Sequence, residues 1–159
     1  MIDVWRIGTD TPDYTAEDLR GLGAKATGGR WNRKGMAVVY TASTRALACM
    51  ETVVHLNAGG LPLNRYLVLV TIPEDIWAAR QIWTHATAAV GWDAIPAGKV
   101  SLDLGDTWLR SGTSCLLEVP SVIIPEESNI LINPAHPDCA RIQADKVRKW
   151  QYDHRIALP

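Results

Sequence analysis

The sequence contains no phenylalanine, so seven tryptophans and four tyrosines carry the aromatic packing. Cysteine is scarce. Cys49, Cys115 and Cys139 are odd in number, far apart and never in a Cys-x-x-Cys pair, which argues against a disulfide framework or a zinc site and for a reducing, cytoplasmic setting. No apolar run approaches the ~20 residues of a membrane span, and no basic start precedes an apolar run of signal-peptide type. Neither sign of charge dominates: 16 basic against 17 acidic residues leave a net charge of −1, so no global field would draw the chain to nucleic acid or an anionic membrane. Gly-x-Gly-x-x-Gly and Gly-x-x-x-x-Gly-Lys-Ser/Thr are missing, which disfavours Rossmann and P-loop nucleotide sites. A Gly-x-Ser-x-Gly elbow is missing too, so nothing supports a serine-hydrolase triad. His55, His85, His136 and His154 are scattered without metal-ligand spacing, and no metal is expected.

What is present describes an ordinary globular chain. With 159 residues, 47% hydrophobic and 21% charged, the composition predicts a single domain over 1–159 with a sizeable core. Ile2–Ile7 reads as a strand, and Thr15–Leu22 as a short helix capped by Thr15. Ala37–Thr41 reads as a buried strand. Ser43 is the expected N-cap of a helix over Thr44–Asn57 that Gly59-Gly60 ends, with Ala46, Leu47, Met50, Val53 and Val54 as its apolar stripe and Glu51 at the margin. Arg65–Ile72 is apolar on both faces, as in a central strand, and Pro73 ends it. Ile76–Trp83 is ambiguous, Thr84–Lys99 reads as loop, and Ser101–Ser111 as helix with Leu102, Leu109 and Gly105 inward. Ser114–Val119, Ser121–Ile124 and Asn129–Asn133 read as strands, and Arg141–Ile156 holds one or two more or a helix from Cys139. Strands, a helix, then many strands punctuated by Pro and Gly predict an α+β fold with mixed or antiparallel sheets and few helices.

The chemically richest stretch is 28–51. Arg30 follows two glycines, where a guanidinium can grip a phosphate bidentately or simply stay solvated. Arg33 and Lys34 read as surface charges. Tyr40 ends a strand, either as a ring against a ligand or as a structural aromatic. Glu51 is either a functional acid at a core margin or half of a surface ion pair with Arg45 or His55. Ser121 follows Val-Pro, where a hydroxyl can meet a ligand or satisfy backbone groups.

Gly-Gly-Arg-Trp-Asn-Arg-Lys-Gly, then Val-Val-Tyr-Thr-Ala-Ser and a helix carrying Glu51, resembles the signature of the RES-domain family. Leu-Leu-Glu-Val-Pro-Ser-Val-Ile-Ile-Pro and Asn-Ile-Leu-Ile-Asn-Pro-Ala-His-Pro are similar to its C-terminal half. The family is named for an arginine, a glutamate and a serine, which correspond to Arg30, Glu51 and Ser121. The resemblance implies an ADP-ribosyltransferase-like fold and a bacterial toxin that consumes NAD as its substrate and is paired with an Xre-like helix-turn-helix antitoxin. A homodimer is compatible with it. It further implies that Glu51 stabilises the oxocarbenium-like state, with Glu118 as a weaker substitute. Arg30 would hold the pyrophosphate, Tyr40 and Trp31 would line the dinucleotide, and Ser121 would bond the ligand or orient Glu51. Nicotinamide leaves as a neutral group, so neither metal nor general acid is required. The first reading is NAD breakdown with water or phosphate as acceptor; the alternative is transfer of ADP-ribose to a specific protein. A binding module or an RNA-cleaving toxin using the Arg30–Lys34 loop is a third reading, and the net charge counts against RNA.

Overall fold

The strands of this chain alternate around one sheet, and the pleat of that sheet decides where each chemically useful side chain goes. A computed structural model describes residues 1–56 and 60–156. Seven strands run in the spatial order β4-β5-β6-β2-β1-β3-β7. They are β1 (Ile2–Thr9), β2 (Val39–Ala42), β3 (Arg65–Ile72), β4 (Gln81–Ile82), β5 (Leu116–Pro120), β6 (Ser128–Ile132) and β7 (Gln143–Lys149). β4 runs parallel to β5; the other pairings are antiparallel. Four helices accompany them: α1 (Leu22–Thr27), α2 (Arg45–Val53), α3 (Glu74–Ala78) and α4 (Lys99–Ser111). The fold is α+β with a mixed sheet, as the sequence predicts.

Successive side chains of a strand point to opposite faces, and the core divides accordingly. One face carries Val4, Val39, Val68, Val70, Leu116, Ile130 and Ile132. The other carries two adjoining clusters: Leu117, Val119 and Leu131 with the tryptophans and α4, and Ile7, Ala42 and Leu67 with Leu47 and Ala48 of α2. Leu116, Leu117, Ile130 and Leu131 are fully buried because both faces of β5 and β6 are covered, which explains their unbroken apolar runs. Tyr40 and Ala42, two residues apart on β2, share one face. The loop before β2, the helix after it and α4 are therefore gathered on the same side of the sheet.

Several expectations need correction. Thr15–Leu22 is not a helix and Thr15 caps nothing. The Ala16 N–H donates to Asp10 and Ala16 is buried, so tertiary contacts hold the segment while α1 starts at Leu22. The N-cap of α2 is Thr44, whose Oγ1 accepts from Leu47 N at 3.1 Å. Ser43 lies one residue before the cap, where its N–H still extends the sheet by donating to Ser128 O. α2 stops at Val53; Gly59 lies outside the described residues. Its buried residues are Leu47 and Ala48, whereas Ala46, Met50 and Val54 of the expected stripe are exposed. β3 is flanked on both sides but lies next to the sheet's edge rather than at its centre. Ile76–Trp83 divides between α3 and β4. Ser121–Ile124 is not a strand, because the Ser121 hydroxyl accepts from Ile123 N and Ile124 N and turns the chain. The tail forms one strand, β7, after a 3-10 turn at Pro137–Arg141, and a second 3-10 turn at His154–Ile156 follows it.

Candidate active site

The loop 28–36 is built from its buried amide. Asn32 is fully buried, and its Nδ2 donates to Ala24 O and Met36 O at 2.9 Å each. Its Oδ1 accepts the Tyr40 hydroxyl at 2.6 Å, and that hydroxyl accepts Trp31 N at 3.0 Å. The loop closes on itself through Gly29 N donating to Asn32 O. A side chain at Gly29 would sit 2.7 Å from the Tyr40 oxygen, so glycine is what lets the ring lie against the loop backbone. Burial pushes the Tyr40 hydroxyl well above the ordinary phenol value. Tyr40 thus arrives as a neutral phenol whose hydroxyl is already used twice inside the protein.

A second anchor fixes the loop to α4. Asp106 is 1% exposed and accepts both Arg33 N at 3.1 Å and the Arg33 guanidinium at 2.9 Å. Arg33 also reaches Asp103. Arg33 stays at the surface, as expected, and also clamps the loop to α4. The helix can come this close because of Gly105, where an added Cβ would lie 1.8 Å from the Trp31 carbonyl oxygen.

With the loop fixed, Arg30 points the other way. One of its terminal nitrogens, Nη1, donates to Trp92 O at 3.0 Å and Ala94 O at 2.8 Å. Among the described residues its Nε and Nη2 have no partner. Burial lowers the guanidinium's pKa, and the negative charges of Glu51 and Asp93 oppose that shift. Trp31 is 3% exposed; its ring lies 5.7 Å from that of Trp83 and stacks at 6.1 Å on Trp92. The structure thus places Trp31 inside the wall behind Arg30.

Glu51 comes from the other side. At about 100° per residue it falls between Leu47 and Ala48 around the helix, so burying those two turns its half-buried carboxylate inward. There the Ser121 hydroxyl donates to Glu51 Oε1 at 2.8 Å, across 70 residues of sequence. Ser121 is fully buried, and its N–H donates to Glu127 O. Thr44 at the start of α2 donates to the Glu127 carboxylate at 3.0 Å. Glu127 thus fixes both the helix that carries the acid and the serine that holds it. Glu118 occupies a different position: Arg80 donates to one oxygen at 2.6 Å and Ser128 to the other at 2.9 Å, so its carboxylate is satisfied on both sides.

The structure therefore gathers Arg30, Tyr40, Glu51 and Ser121 on one face of the sheet. Asn32, Asp106 and Glu127, which sequence reading passed over, hold them there. An acid beside Gly105 on the inner face of α4 was the available signal for Asp106. Two concavities of about 490 and 510 Å³ lie elsewhere, beside β4 and α4 and beside the Pro137–Arg141 turn, and none of the four residues lines either. Among the described residues no helix is long and apolar enough to cross a membrane, and no group of three or more His, Cys, Asp or Glu is placed to hold a metal ion.

The RES resemblance names Arg30, Glu51 and Ser121 together, and the fold joins the last two by a hydrogen bond. The RES domain family matches residues 3–155. The chain is 60% identical, over 96% of its length and 94% of the relative's, to the Prs ADP-ribosylating toxin of Sphingobium sp. (strain YBL2). It is 37% identical to Toxin Res of Yersinia enterocolitica over 77% of this chain and 79% of that one. Toxin Res of Pseudomonas putida is 33% identical, over 89% and 92% respectively. A domain match over nearly the whole chain, together with relatives aligned over most of both lengths, places this protein in the RES-domain family of toxins.

Proposed function

We propose that this protein uses NAD as its substrate, cleaves the nicotinamide–ribose bond and passes the ADP-ribose to a protein acceptor. The observation that carries the reading is the 2.8 Å bond from Ser121 to Glu51. As the C1′–N bond breaks, its electron pair leaves on the nicotinamide nitrogen and positive charge grows on the ribose. A preorganised carboxylate stabilises that charge more than it stabilises the ground state. The Ser121 hydroxyl spends its one proton on Glu51, which fixes the orientation of the acid. Nε and Nη2 of Arg30 suit the pyrophosphate, since a guanidinium fork matches two phosphate oxygens. Tyr40, Asn32 and Asp106 keep that arginine's loop in register. An acceptor hydroxyl or amine then bonds to C1′ and gives up its proton, so the products are nicotinamide, ADP-ribosyl acceptor and H⁺.

The name of the 60%-identical relative supports a protein acceptor and makes Prs the first one to assay. The reading extends to growth arrest on expression and to neutralisation by an Xre-like helix-turn-helix antitoxin, which co-expression with the neighbouring gene product would examine. NAD breakdown with water or phosphate as acceptor uses the same bond cleavage and is the competing outcome. Purified protein is incubated with NAD, with and without phosphate and with and without Prs, following nicotinamide release and the mass of Prs. Arg30→Ala and Glu51→Gln are each expected to slow nicotinamide release at least about 100-fold, in keeping with the loss of one preorganised electrostatic contact, while thermal melting confirms that they fold. Full turnover in both variants would sink the proposal.

A further inference from the structure

The three cysteines, far apart in sequence, are free thiols in the fold, but two of them meet. Cys115 immediately precedes β5 and is 4% exposed. Its carbonyl accepts Asn133 N, just beyond β6, at 2.9 Å. From Asn133 the chain turns back: His136 N donates to Asn133 O at 3.1 Å, and Cys139 N to His136 O at 3.0 Å. This turn packs the half-buried Cys139 against the buried cluster to which Cys115 belongs. There the Cys115 thiol donates a hydrogen bond to the Cys139 sulfur. Cys139 also lines the concavity of about 510 Å³ beside the turn, together with Arg20 and His136. One thiol of the pair is sealed in the core, and the other is reached from solvent.

The two sulfurs are not equivalent. The hydrogen bond from Cys115 lowers the pKa of Cys139, although burial opposes it. The same bond, with burial and the nearby Asp138 carboxylate, holds Cys115 well above the ordinary thiol value. The thiolate is the nucleophile, so Cys139 reacts first while Cys115 waits protonated beside it. Cys49 on α2 is the contrast: burial raises its pKa, and Trp150 rather than a thiol stands beside it. A single half-buried thiol is unremarkable, but an accessible, readily ionised thiol with a second thiol in contact has the make-up of a redox pair. The NAD chemistry leaves this pair unused. Cys115 belongs to the cluster on the face of the sheet opposite α2 and Glu51.

We propose that Cys139 is a site of oxidation by hydroperoxides and that Cys115 resolves it into an intramolecular disulfide. The Cys139 thiolate attacks the terminal peroxide oxygen: the S–O bond forms, the O–O bond breaks, and the departing oxygen takes up a proton. Sulfur is oxidised to the sulfenic acid, and the peroxide is reduced to water or an alcohol. The Cys115 sulfur then bonds to Cys139 as the S–O bond breaks, and its proton leaves with the hydroxide as water. The disulfide closes residues 115–139 into one loop that contains β5, Ser121, Glu127 and β6. A cross-link restricts the unfolded chain. The oxidised protein therefore keeps the segment carrying Ser121 and Glu127 folded under conditions that unfold the reduced one.

Wild type, Cys49→Ser, Cys115→Ser and Cys139→Ser are exposed to hydrogen peroxide, free thiols are then alkylated, and peptides are mapped by mass. Wild type and Cys49→Ser are expected to lose two hydrogens and to yield a Cys115–Cys139 cross-linked peptide, with Cys49 still open to alkylation in wild type. Cys115→Ser is expected to stop at a dimedone-reactive sulfenic acid on Cys139. In urea, at the midpoint of the reduced protein, oxidation of wild type is expected to raise the folded-to-unfolded ratio at least about tenfold. Dithiothreitol should reverse that gain, and Cys139→Ser should not show it. Thermal melting checks that each variant folds, and the wild-type peptide map decides by itself where one does not. The proposal is overturned if Cys115 and Cys139 stay alkylatable while free cysteine in the same tube is consumed, if Cys49 reacts first, or if the disulfide joins two molecules. An internal cross-link that leaves urea resistance unchanged overturns the stabilising consequence.

Discussion

At the scale of the residue, Ser121 carries two duties with one oxygen. Its hydroxyl donates to Glu51 and accepts from the N–H groups of Ile123 and Ile124, all in a fully buried position. Ser121→Ala would leave two backbone donors without their acceptor, at about 1–3 kcal/mol for a buried unsatisfied group, and would free the Glu51 carboxylate to rotate. Ser121→Thr keeps the oxygen and adds a methyl in a packed site. We expect the alanine variant to lower both the melting temperature and kcat for nicotinamide release, with KM for NAD little changed, and threonine to restore part of kcat. A serine that served the turn alone would lower the melting temperature and leave kcat where it was. Glu118 provides the contrast. Both of its oxygens are already engaged, one by Arg80 and the other by Ser128, so its orientation is set by partners other than Ser121.

At the scale of the element, α4 and the loop 28–36 act as one part. Gly105→Ala would place a methyl 1.8 Å from the Trp31 carbonyl oxygen, and backbone rather than a flexible side chain stands in the way. Overpacking of this kind costs about 1–3 kcal/mol or more, and the strain falls on the loop that positions Arg30. Asp106→Asn keeps the shape but weakens a buried acceptor of both Arg33 N and its guanidinium. Since Arg33 itself is 43% exposed, we expect a smaller loss, about 1–2 kcal/mol. Urea denaturation ranks the two variants, and a Gly105→Ala protein as stable as wild type would contradict the close approach. These elements also show what the sequence could tell. Arg65–Ile72 and Ile2–Ile7 were legible because β-branched runs have few other ways to bury themselves. Helical periodicity on α2 gave the angles of Ala46, Met50 and Val54 but not which side the sheet would cover, so the stripe was misassigned. Arg30, Glu51 and Ser121 are singled out by a family resemblance, and of these the fold joins Ser121 to Glu51. Asn32 and Asp106 were not, because an amide or an acid becomes a keystone only when the fold brings Tyr40 or Arg33 to it.

At the scale of the whole molecule, the sheet is unevenly held. β5 and β6 bury both faces, whereas β7 is an edge strand exposed along most of its length. Its Lys146, Arg148 and Lys149 suit an edge that must resist pairing with other chains. Ion pairs tie this edge down, among them Lys146 to Asp10 at 2.9 Å and, in the turn before β7, Arg141 to Asp75 at 2.8 Å. Each partner cation holds its carboxylate below the ordinary value of 3.8. A folded-state pKa below the unfolded one means that the unfolded chain binds more protons. The stabilisation is therefore complete above the unfolded value and is lost as pH falls below about 4. Exposed pairs contribute little each, so acid should loosen the edge before it unfolds the sheet. Hydrogen exchange checks this. Between pH 5 and pH 3, after correction for the intrinsic rate, β7 amides are expected to lose protection while those of β5 and β6 keep theirs, and Lys146→Met is expected to produce part of the same loosening at pH 5. Loss of protection in β5 and β6 at the same pH as in β7 would show that these pairs support the whole sheet rather than its edge.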